Sequence, residues 1–450
     1  MERKLIIECL KLDGKEVLLE GYVQRVRAHG KIAFFDLKDL SGEIQIGAFN
    51  EKLAQEVGNL SPQDVVRIQG TVKKREERFI NKDSQTGTVE VSLKELEILV
   101  KSSEMPFDMG GRELNLELPT LFDNRALTLR SPKVSAIFKI QETIVNSFRK
   151  TLSNENFTEI FVPTIVPSAT EGGAEVFSVY YYGHKAFLAQ SPQLYKQIMV
   201  SVFERVYTVA HAYRAEPSVT TRHLAEYVSL DAEMGFINSW EEIMDRAENV
   251  IVNILSELKE KNKYELEKIF KIELPEITKP MPRVKLSEVQ EIIYKRTGVD
   301  HRQEPDLDPS DEKEICEWAR EQTGAPFIFV TSYPTKKRPF YTMPDPKNPD
   351  LTLSFDLLGI NEEWVTGGQR INDYAMLVEN MEKRGSRVEN FNIYLQAFKY
   401  GMPPEGGFAM GLERITKDIL GLSNVREASL FPRDMERVDE RFSIQEKRKE

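Results

Sequence analysis

Two apolar runs joined by a nine-residue polar loop constrain this chain more than any other feature. Val206–Glu216 and Glu226–Phe236 both alternate apolar and polar residues, and Pro217–Ala225 between them is polar. Strand side chains alternate between faces with period two, so Arg214 and Glu216 share one face of the first run. In the second run Tyr227, Ser229, Asp231 and Glu233 share one face, while Val228, Leu230, Ala232 and Met234 share the other. Paired antiparallel, the two runs spread Arg, Glu, Tyr and Asp over an apolar core. A solvated sheet face is the commoner outcome for such a pattern. Here, however, Arg214, Arg222 and His223 gather around one loop. Three cationic groups beside an aromatic suit a nucleotide, with arginine for phosphate oxygens and tyrosine for stacking.

Two more polar clusters follow. Ser354–Leu358 and Glu363–Thr366 flank a turn at Gly359-Ile360-Asn361, so Asp356 and Glu363 can face one another. Two close carboxylates repel unless a cation lies between them, and Mg²⁺ bridging phosphates would serve. Two separately solvated carboxylates are an equal alternative. Gly367-Gly368-Gln369-Arg370 then lets the backbone pass close to a neighbour and presents another arginine. Glu405–Ile415 is a Gly-rich run entering a helix that carries Arg414. The G-x-x-x-x-G-K-[ST] phosphate loop occurs nowhere, which argues against ATP binding of that kind.

A length of 450 residues predicts two or three domains, and 40% hydrophobic residues provide a sizeable core. No apolar run approaches the roughly 20 residues that span a membrane. The N-terminus is too charged for a secretion signal, so a cytoplasmic location is expected. Two distant cysteines, Cys9 and Cys316, and five scattered histidines make neither a zinc ribbon nor a disulfide framework. The net charge of −11 argues at first against nucleic acid. Residues 1–100, however, hold 16 basic and 17 acidic side chains, leaving −10 for the rest. The first segment is the less repulsive one for a polyanion.

That segment also reads as a small barrel. Strand-like runs at 17–23, 32–37, 43–48, 64–72 and 88–93, with Gly at the corners, predict five short strands of the OB type. The expected organisation is α+β. An OB-fold barrel spans 1–101, an irregular Pro/Gly-rich hinge 102–132, and a larger domain 133–450. Its helical insertion or cover lies at about 240–325. Within the larger domain, Val134–Thr151 has helical apolar spacing and precedes a β-like run ending at Pro163.

The three clusters, with the helix and strand of 134–163, resemble the signature motifs of class II aminoacyl-tRNA synthetases in their order. The first is the helix from Val134 and the strand ending at Pro163. The second is Tyr213-Arg214-Ala215-Glu216 with Arg222-His223-Leu224, and the third Gly411-Leu412-Glu413-Arg414. The class I signatures HIGH and KMSKS are absent. An N-terminal OB barrel before this core resembles the aspartate, asparagine and lysine subgroup (subclass IIb). Gln190–Gln197, Ser229–Met234 and Leu430–Asp434 are closest to its aspartyl branch, of the archaeal type. An asparaginyl enzyme and a non-aminoacylating paralogue are the alternatives. The first is disfavoured by Lys196, the second by the retained barrel and motif arginines.

The resemblance implies a catalytic domain on an antiparallel sheet flanked by helices. It implies activation of L-aspartate with ATP and Mg²⁺ and transfer to tRNA(Asp), with tRNA(Asn) open as a second acceptor, by a homodimer. It assigns Arg214 to the α-phosphate and the substrate carboxylate, Glu216 to adenine, and Tyr227 and Arg414 to the two faces of the base. Arg222 and His223 fall to the outer phosphates, and Ala215, Leu224, Gly411, Leu412 and Glu413 to the rest of the nucleotide site. Asp356, Glu363 and Thr366 would hold the metal. Lys196 and Arg370 would take the aspartate side chain, with Gln193, Asp231 and Glu171 at its ammonium end and Thr366 nearby. In the barrel, Phe34 would stack an anticodon base, Gln45 read its edge, and Arg25 and Arg27 meet phosphates. Two departures stand out: Glu405 where the family often has His, and Trp364 where a smaller aliphatic is common.

Overall fold

The computed structural model describes residues 1–111, 113–168, 176–217, 220–277 and 279–442. They form two compact units. One comprises Met1–Leu118 with Ala126–Lys133, the other Pro119–Arg125 with the described residues from Val134 on.

The first unit is a closed five-stranded barrel. Its strands are β1 (Glu16–His29), β2 (Ile32–Lys38), β3 (Glu43–Ala48), β4 (Val65–Lys74) and β5 (Val89–Val100), in the order β1-β2-β3-β5-β4. All neighbours are antiparallel except β3 and β5. Every expected strand is present, because each carries the alternation that fills the interior with Val17, Leu19, Phe35, Leu37, Ile46 and Ile68. β1 runs six residues beyond its expected end at Val23, and a bulge at Gln24 explains why that was hard to read. Val23 pairs with Leu37 and Arg25 with Asp36, leaving Gln24 over. Strict alternation from Val17 and Leu19 would carry Arg25 and Arg27 into the barrel. The extra residue turns both outward. Helix α1 (Glu51–Gly58) is capped by Asn50, whose side chain accepts from the Leu53 amide at 2.9 Å.

The second unit is built on an eight-stranded sheet. Its strands are β6 (Thr158–Glu159), β7 (Arg205–Tyr213), β8 (Glu226–Gly235), β9 (Arg283–Lys285), β10 (Phe327–Thr331), β11 (Ser354–Gly359), β12 (Glu362–Gln369) and β13 (Glu405–Gly411). Their order is β9-β10-β11-β12-β13-β8-β7-β6. The six central strands are antiparallel, as the resemblance implied, and only the edge pairs β9–β10 and β6–β7 are parallel. Helices α2 (Pro132–Asn154), α4 (Glu241–Lys261) and α7 (Leu412–Leu420) cover one face, burying Ile140, Phe148, Ile251 and Ile415 against Leu230, Val365, Phe408 and Met410. Helix α3 (Gln193–Phe203) lies in sequence between α2 and α4. Helix α4, read from sequence as part of a cover, is thus part of the main core. The segment 102–132, read as irregular, also contains two short helices, Leu118–Asp123 and Arg125–Thr128. No helix among the described residues is long and apolar enough to cross a membrane.

Helices α5 (Leu286–Thr297) and α6 (Pro309–Thr323) form a satellite core with β10 and β11, through Val289, Ile293, Ile315, Cys316, Ala319, Val330 and Leu358. The start of α6 is fixed tightly. Asp308 accepts from the amides of Ser310 and Asp311 at 2.7 and 2.9 Å, Pro309 opens the helix, and Asp311 holds His301 Nδ1 at 2.9 Å. The indole of Trp364 is 1% exposed, packs edge-on to Phe327 at 5.3 Å and donates to Asp418 at 2.7 Å. Its polar atom is therefore satisfied and its volume used.

Candidate active site

A cleft of about 430 Å³ opens over the central strands, bordered by Arg214, Tyr227, Asp231, Glu363, Arg370 and Arg414. β7 ends at Tyr213, and the pairing continues one step through the Arg214 amide, 2.9 Å from the Ala225 carbonyl. Arg214 lies 5.5 Å from the centre of the Tyr227 ring and 3.8 Å from Glu216, which reaches His223 at 3.2 Å. On β8 the two faces separate as alternation predicts. Tyr227, Ser229 and Asp231 line the cleft, whereas Leu230, Ala232 and Met234 enter the core. Arg222, His223, Leu224, Gly411 and Arg414 also line it. Three residues expected at the nucleotide do not. Leu412 is buried in the core, and Ala215 and Glu216 lie outside the lining. Glu413 borders the cleft but accepts from the Val228 amide at 3.1 Å, so it ties α7 to β8. Burial pushes its carboxyl up to about 7.

The residues expected to hold a metal are brought together by a second bulge. Leu357 pairs with Val365 and Leu358 with Glu363, leaving Trp364 over. Glu363 and Thr366 are three apart, and strict alternation would put them on opposite faces. With the bulge, Trp364 and Val365 both enter the core, and Glu363 and Thr366 both line the cleft. Asp356 pairs directly with Thr366. Its Oδ2 lies 2.7 Å from Arg338, which also donates to Thr366 at 3.2 Å and stacks 3.9 Å from the Tyr333 ring. Asp356 Oδ1 is buried without a partner. Burial and then the nearby Asp356 push Glu363 upward. Two carboxylates, one of them with an unpartnered buried oxygen, and a hydroxyl make a hard-oxygen donor set that fits Mg²⁺.

The residues expected to hold the amino acid form the most buried part of the site. Lys196, in the first turn of α3, has no solvent exposure. It donates to Asp231 at 2.8 Å and meets Glu233 at 3.1 Å. Arg370 donates through Nε to Glu233 at 2.7 Å and through Nη2 to the Gly407 carbonyl at 3.1 Å. A Cβ on Gly407 would collide with the Glu233 carboxylate, so glycine is required there. Burial alone would lower Lys196, but Asp231 and Glu233 outweigh it and raise it. Burial would raise Glu233, but Arg370 and Lys196 lower it. The cations thus arrive with counter-charges already in place, which the sequence reading had left to the substrate. Gln193 lines the cleft and donates to Gln197 at 2.9 Å. Gln197 in turn donates to Glu405 at 2.7 Å. Glu405 is fully buried, and burial followed by the Glu233 charge holds it well above the usual carboxylate range. Glu171 lies outside the described residues.

Three residues were missed. Arg338 belongs to Lys336-Lys337-Arg338, a basic run visible in the sequence between Pro334 and Pro339. Glu362 precedes Glu363 and meets Arg222 Nε at 3.3 Å. Glu312 lies in the first turn of α6, and its Oε2 is 2.8 Å from Arg222 Nη1. It falls on the same stripe as Ile315, Cys316 and Ala319, and a carboxylate at such spacing on an apolar stripe was the available signal. Burial pushes it up to about 7 despite the opposing pull of Arg222.

In the barrel unit, Arg25, Arg27 and Gln45 line a polar cleft with Asp36 and Arg75. Arg27 donates to Asp36 at 2.8 Å and to Gln45 at 3.4 Å, and Gln45 donates to Glu90 at 3.1 Å. Phe35 fills the interior, while half-buried Phe34 points away from it, edge-on to exposed Phe49 at 5.8 Å. Phe34 pairs with Gly47, where a Cβ would come within 2.6 Å of the Phe49 ring. Glycine there lets both rings lie against the strand.

The chain matches the family model for class II tRNA synthetases (D, K and N) over residues 117–435, and that for the OB-fold nucleic acid binding domain over 17–100. It is 40% identical over 434 residues to an aspartate–tRNA(Asp) ligase of Pyrococcus furiosus, covering 95% of this chain and 97% of that one. It is 41% identical over 437 residues to an aspartate–tRNA(Asp/Asn) ligase of Thermus thermophilus, covering 97% and 99%. The asparaginyl-tRNA synthetase of Pyrococcus horikoshii, solved with asparaginyl-adenylate, superposes with a TM-score of 0.88 at 30% identity, over 97% of this chain and 99% of that chain. With the site geometry and a match covering most of its length, the chain belongs to the class II tRNA synthetases of the aspartate, lysine and asparagine group.

Proposed function

We propose that this protein is an aspartate–tRNA ligase, which activates L-aspartate with ATP and loads it onto tRNA(Asp). The observation that carries the reading is a cleft lined by Arg370 and Asp231 as well as by Arg214, Arg222 and Arg414, with fully buried Lys196 directly behind it, donating to Asp231 at 2.8 Å. Aspartate and asparagine are nearly the same size, so charge must separate them. Asp231 is the group assigned to the substrate ammonium, and once it turns to that group Lys196 is released toward the side-chain carboxylate. Arg370 keeps Glu233 through Nε and Nη2, leaving Nη1 for the ligand.

Activation is then positioning plus electrostatics. The aspartate α-carboxylate attacks the α-phosphorus, pyrophosphate leaves, and Arg214 stabilises the charge that develops there. Tyr227 and Arg414 hold the base, and Arg222 and His223 meet the outer phosphates. Mg²⁺, held by Asp356, Glu363 and Thr366, would supply positive charge to the phosphate oxygens. Arg338 already pairs with Asp356 and Thr366, and keeps that end compensated in its place. The terminal hydroxyl of the tRNA attacks the adenylate in the second step, and the barrel face at Arg25, Arg27, Phe34 and Gln45 meets the anticodon.

Aspartate-dependent exchange of pyrophosphate into ATP tests the reading, and exchange with asparagine alone overturns it. The relatives divide between tRNA(Asp) and tRNA(Asp/Asn) in their names. Charging purified tRNAs of both kinds decides whether tRNA(Asn) is also a substrate here. A homodimer is the expected assembly. Phe161, beside Pro163, is 86% exposed and Ile165 46%, whereas α2 itself packs mostly inward. Sedimentation of active protein as a monomer at micromolar concentration would exclude that assembly.

A further inference from the structure

Arg222 is gripped from two sides by carboxylates of different elements. Nη1 meets Glu312 at the start of α6, and Nε meets Glu362 at the start of β12. Glu362 also takes Lys417 at 2.6 Å through its other oxygen. The Glu312 side chain is only 14% exposed, and among the described residues Arg222 is its one ion-pair partner. Glu312 is not placed there by chance. The capped start of α6 and the packing of Ile315 and Cys316 fix its backbone, one turn before the stripe that meets β10 and β11.

We propose that Glu312 acts against nucleotide binding. It holds Arg222 in a closed ion pair with which the outer phosphates of ATP must compete, so the helical segment carrying α6 sets how tightly ATP is held and how readily pyrophosphate leaves. The proposal rests on the proposed function, which gives Arg222 to the phosphates. A carboxylate and a phosphate use the same guanidinium donors, so one occupies what the other needs. A fixed negative charge beside the site also repels a polyanion directly. Asp356 and Glu363 differ in this respect, because a bound divalent cation would take up their charge. Among the described residues Glu312 is ion-paired with Arg222 alone, with Arg414 acting on it from farther off.

Glu312→Gln keeps the side-chain length and an acceptor oxygen and removes the charge. The KM for ATP and the inhibition constant of pyrophosphate are expected to fall roughly three- to tenfold, as for loss of one partly buried ion pair, with the KM for aspartate unchanged. Damage to the fold weakens binding, so a gain in affinity separates this role from a structural one. The gain is also expected to vanish in the Glu312→Gln/Arg222→Ala double variant, set against Arg222→Ala alone. A KM for ATP that is unchanged or raised in Glu312→Gln, or a gain that survives without Arg222, overturns the proposal. Should Glu312→Gln fail to fold, Glu312→Ser serves for the same comparison. Absence of exchange by the wild-type protein with any amino acid would overturn the ligase reading instead.

Discussion

The two ends of the cleft hold similar charges in opposite ways. At the end proposed for the amino acid, Lys196, Asp231 and Glu233 have side chains at most 1% exposed, and their contacts with one another and with Arg370 span 2.7 to 3.4 Å. At the nucleotide end, the Arg214 and Arg414 side chains are 44% and 32% exposed and meet Glu216 and Glu363 at 3.8 and 3.4 Å. On the proposed function, the buried end would be organised before aspartate arrives, as discrimination between two ligands of one size demands, whereas Arg214 and Arg414 would adjust to a nucleotide that brings charges of its own. Arg222, held at 2.8 Å by Glu312, is the exception at the open end.

The largest effect is expected where the charges are fixed. Lys196→Leu leaves Glu233 buried with Arg370 as its remaining cation and Asp231 buried with the Ser229 hydroxyl. Removing one partner of a buried pair costs about 3–5 kcal/mol. That corresponds to roughly 10²- to 10³-fold or more in kcat/KM for aspartate, with a lower melting temperature. The aspartate advantage over asparagine should narrow as well. Its size in the wild type is limited by Glu233, which stays with Lys196 and Arg370 when Asp231 turns to the ammonium of either amino acid, so asparagine would leave the cations only partly compensated. Measuring kcat/KM for both amino acids in both proteins checks this, and an unchanged ratio would place the specificity elsewhere.

Arg214→Ala should cost about as much chemistry with no loss of stability. A donor aimed at charge developing in the transition state is worth roughly 3–4 kcal/mol, or about 100- to 1,000-fold in rate. Its half-exposed side chain contributes little to folding. Pyrophosphate exchange and thermal melting, run on both variants, separate the two ends. If both lost equal stability, the contrast between a fixed and a loose end would fail.

This contrast also divides what was legible in the sequence. The barrel strands and the two faces of β8 follow from alternation, which is local. The Lys196–Asp231–Glu233–Arg370 cluster joins positions up to 174 residues apart, so Lys196, Asp231 and Arg370 were named for the site, Glu233 only as part of a strand face, and their mutual pairing not at all. The bulges at Gln24 and Trp364 were invisible for a related reason, because a bulge exists only relative to the partner strand. Both lie at faces the proposed function uses, where they turn Arg25 and Arg27 outward and keep Glu363 beside Thr366. Glu312 was missed because the segment carrying it was read as cover.

The smallest expected effect is a pH dependence that belongs to the loose end. Glu312 is faced by Arg222, Glu363 and Arg414, with Glu362 across Arg222. Burial pushes it up to about 7, so its neutral form predominates at pH 6 and its carboxylate at pH 8. Only the carboxylate holds Arg222 at full strength. The wild-type KM for ATP should therefore rise relative to that of Glu312→Gln as pH increases through 7, by roughly the factor one ion pair is worth. The terminal phosphate of ATP ionises in the same range and pulls the other way, so the ratio between the two proteins is the readout. Stability gives a second sign. A carboxyl raised in the folded state contributes stability that is fully present below its unfolded value of about 4.3 and is lost as pH rises through the folded value near 7. The melting temperature of Glu312→Gln should accordingly gain on the wild type between pH 5 and pH 8, then level off. A constant difference in both quantities across that range would mean that Glu312 stays ionised throughout and that the hold on Arg222 does not depend on pH.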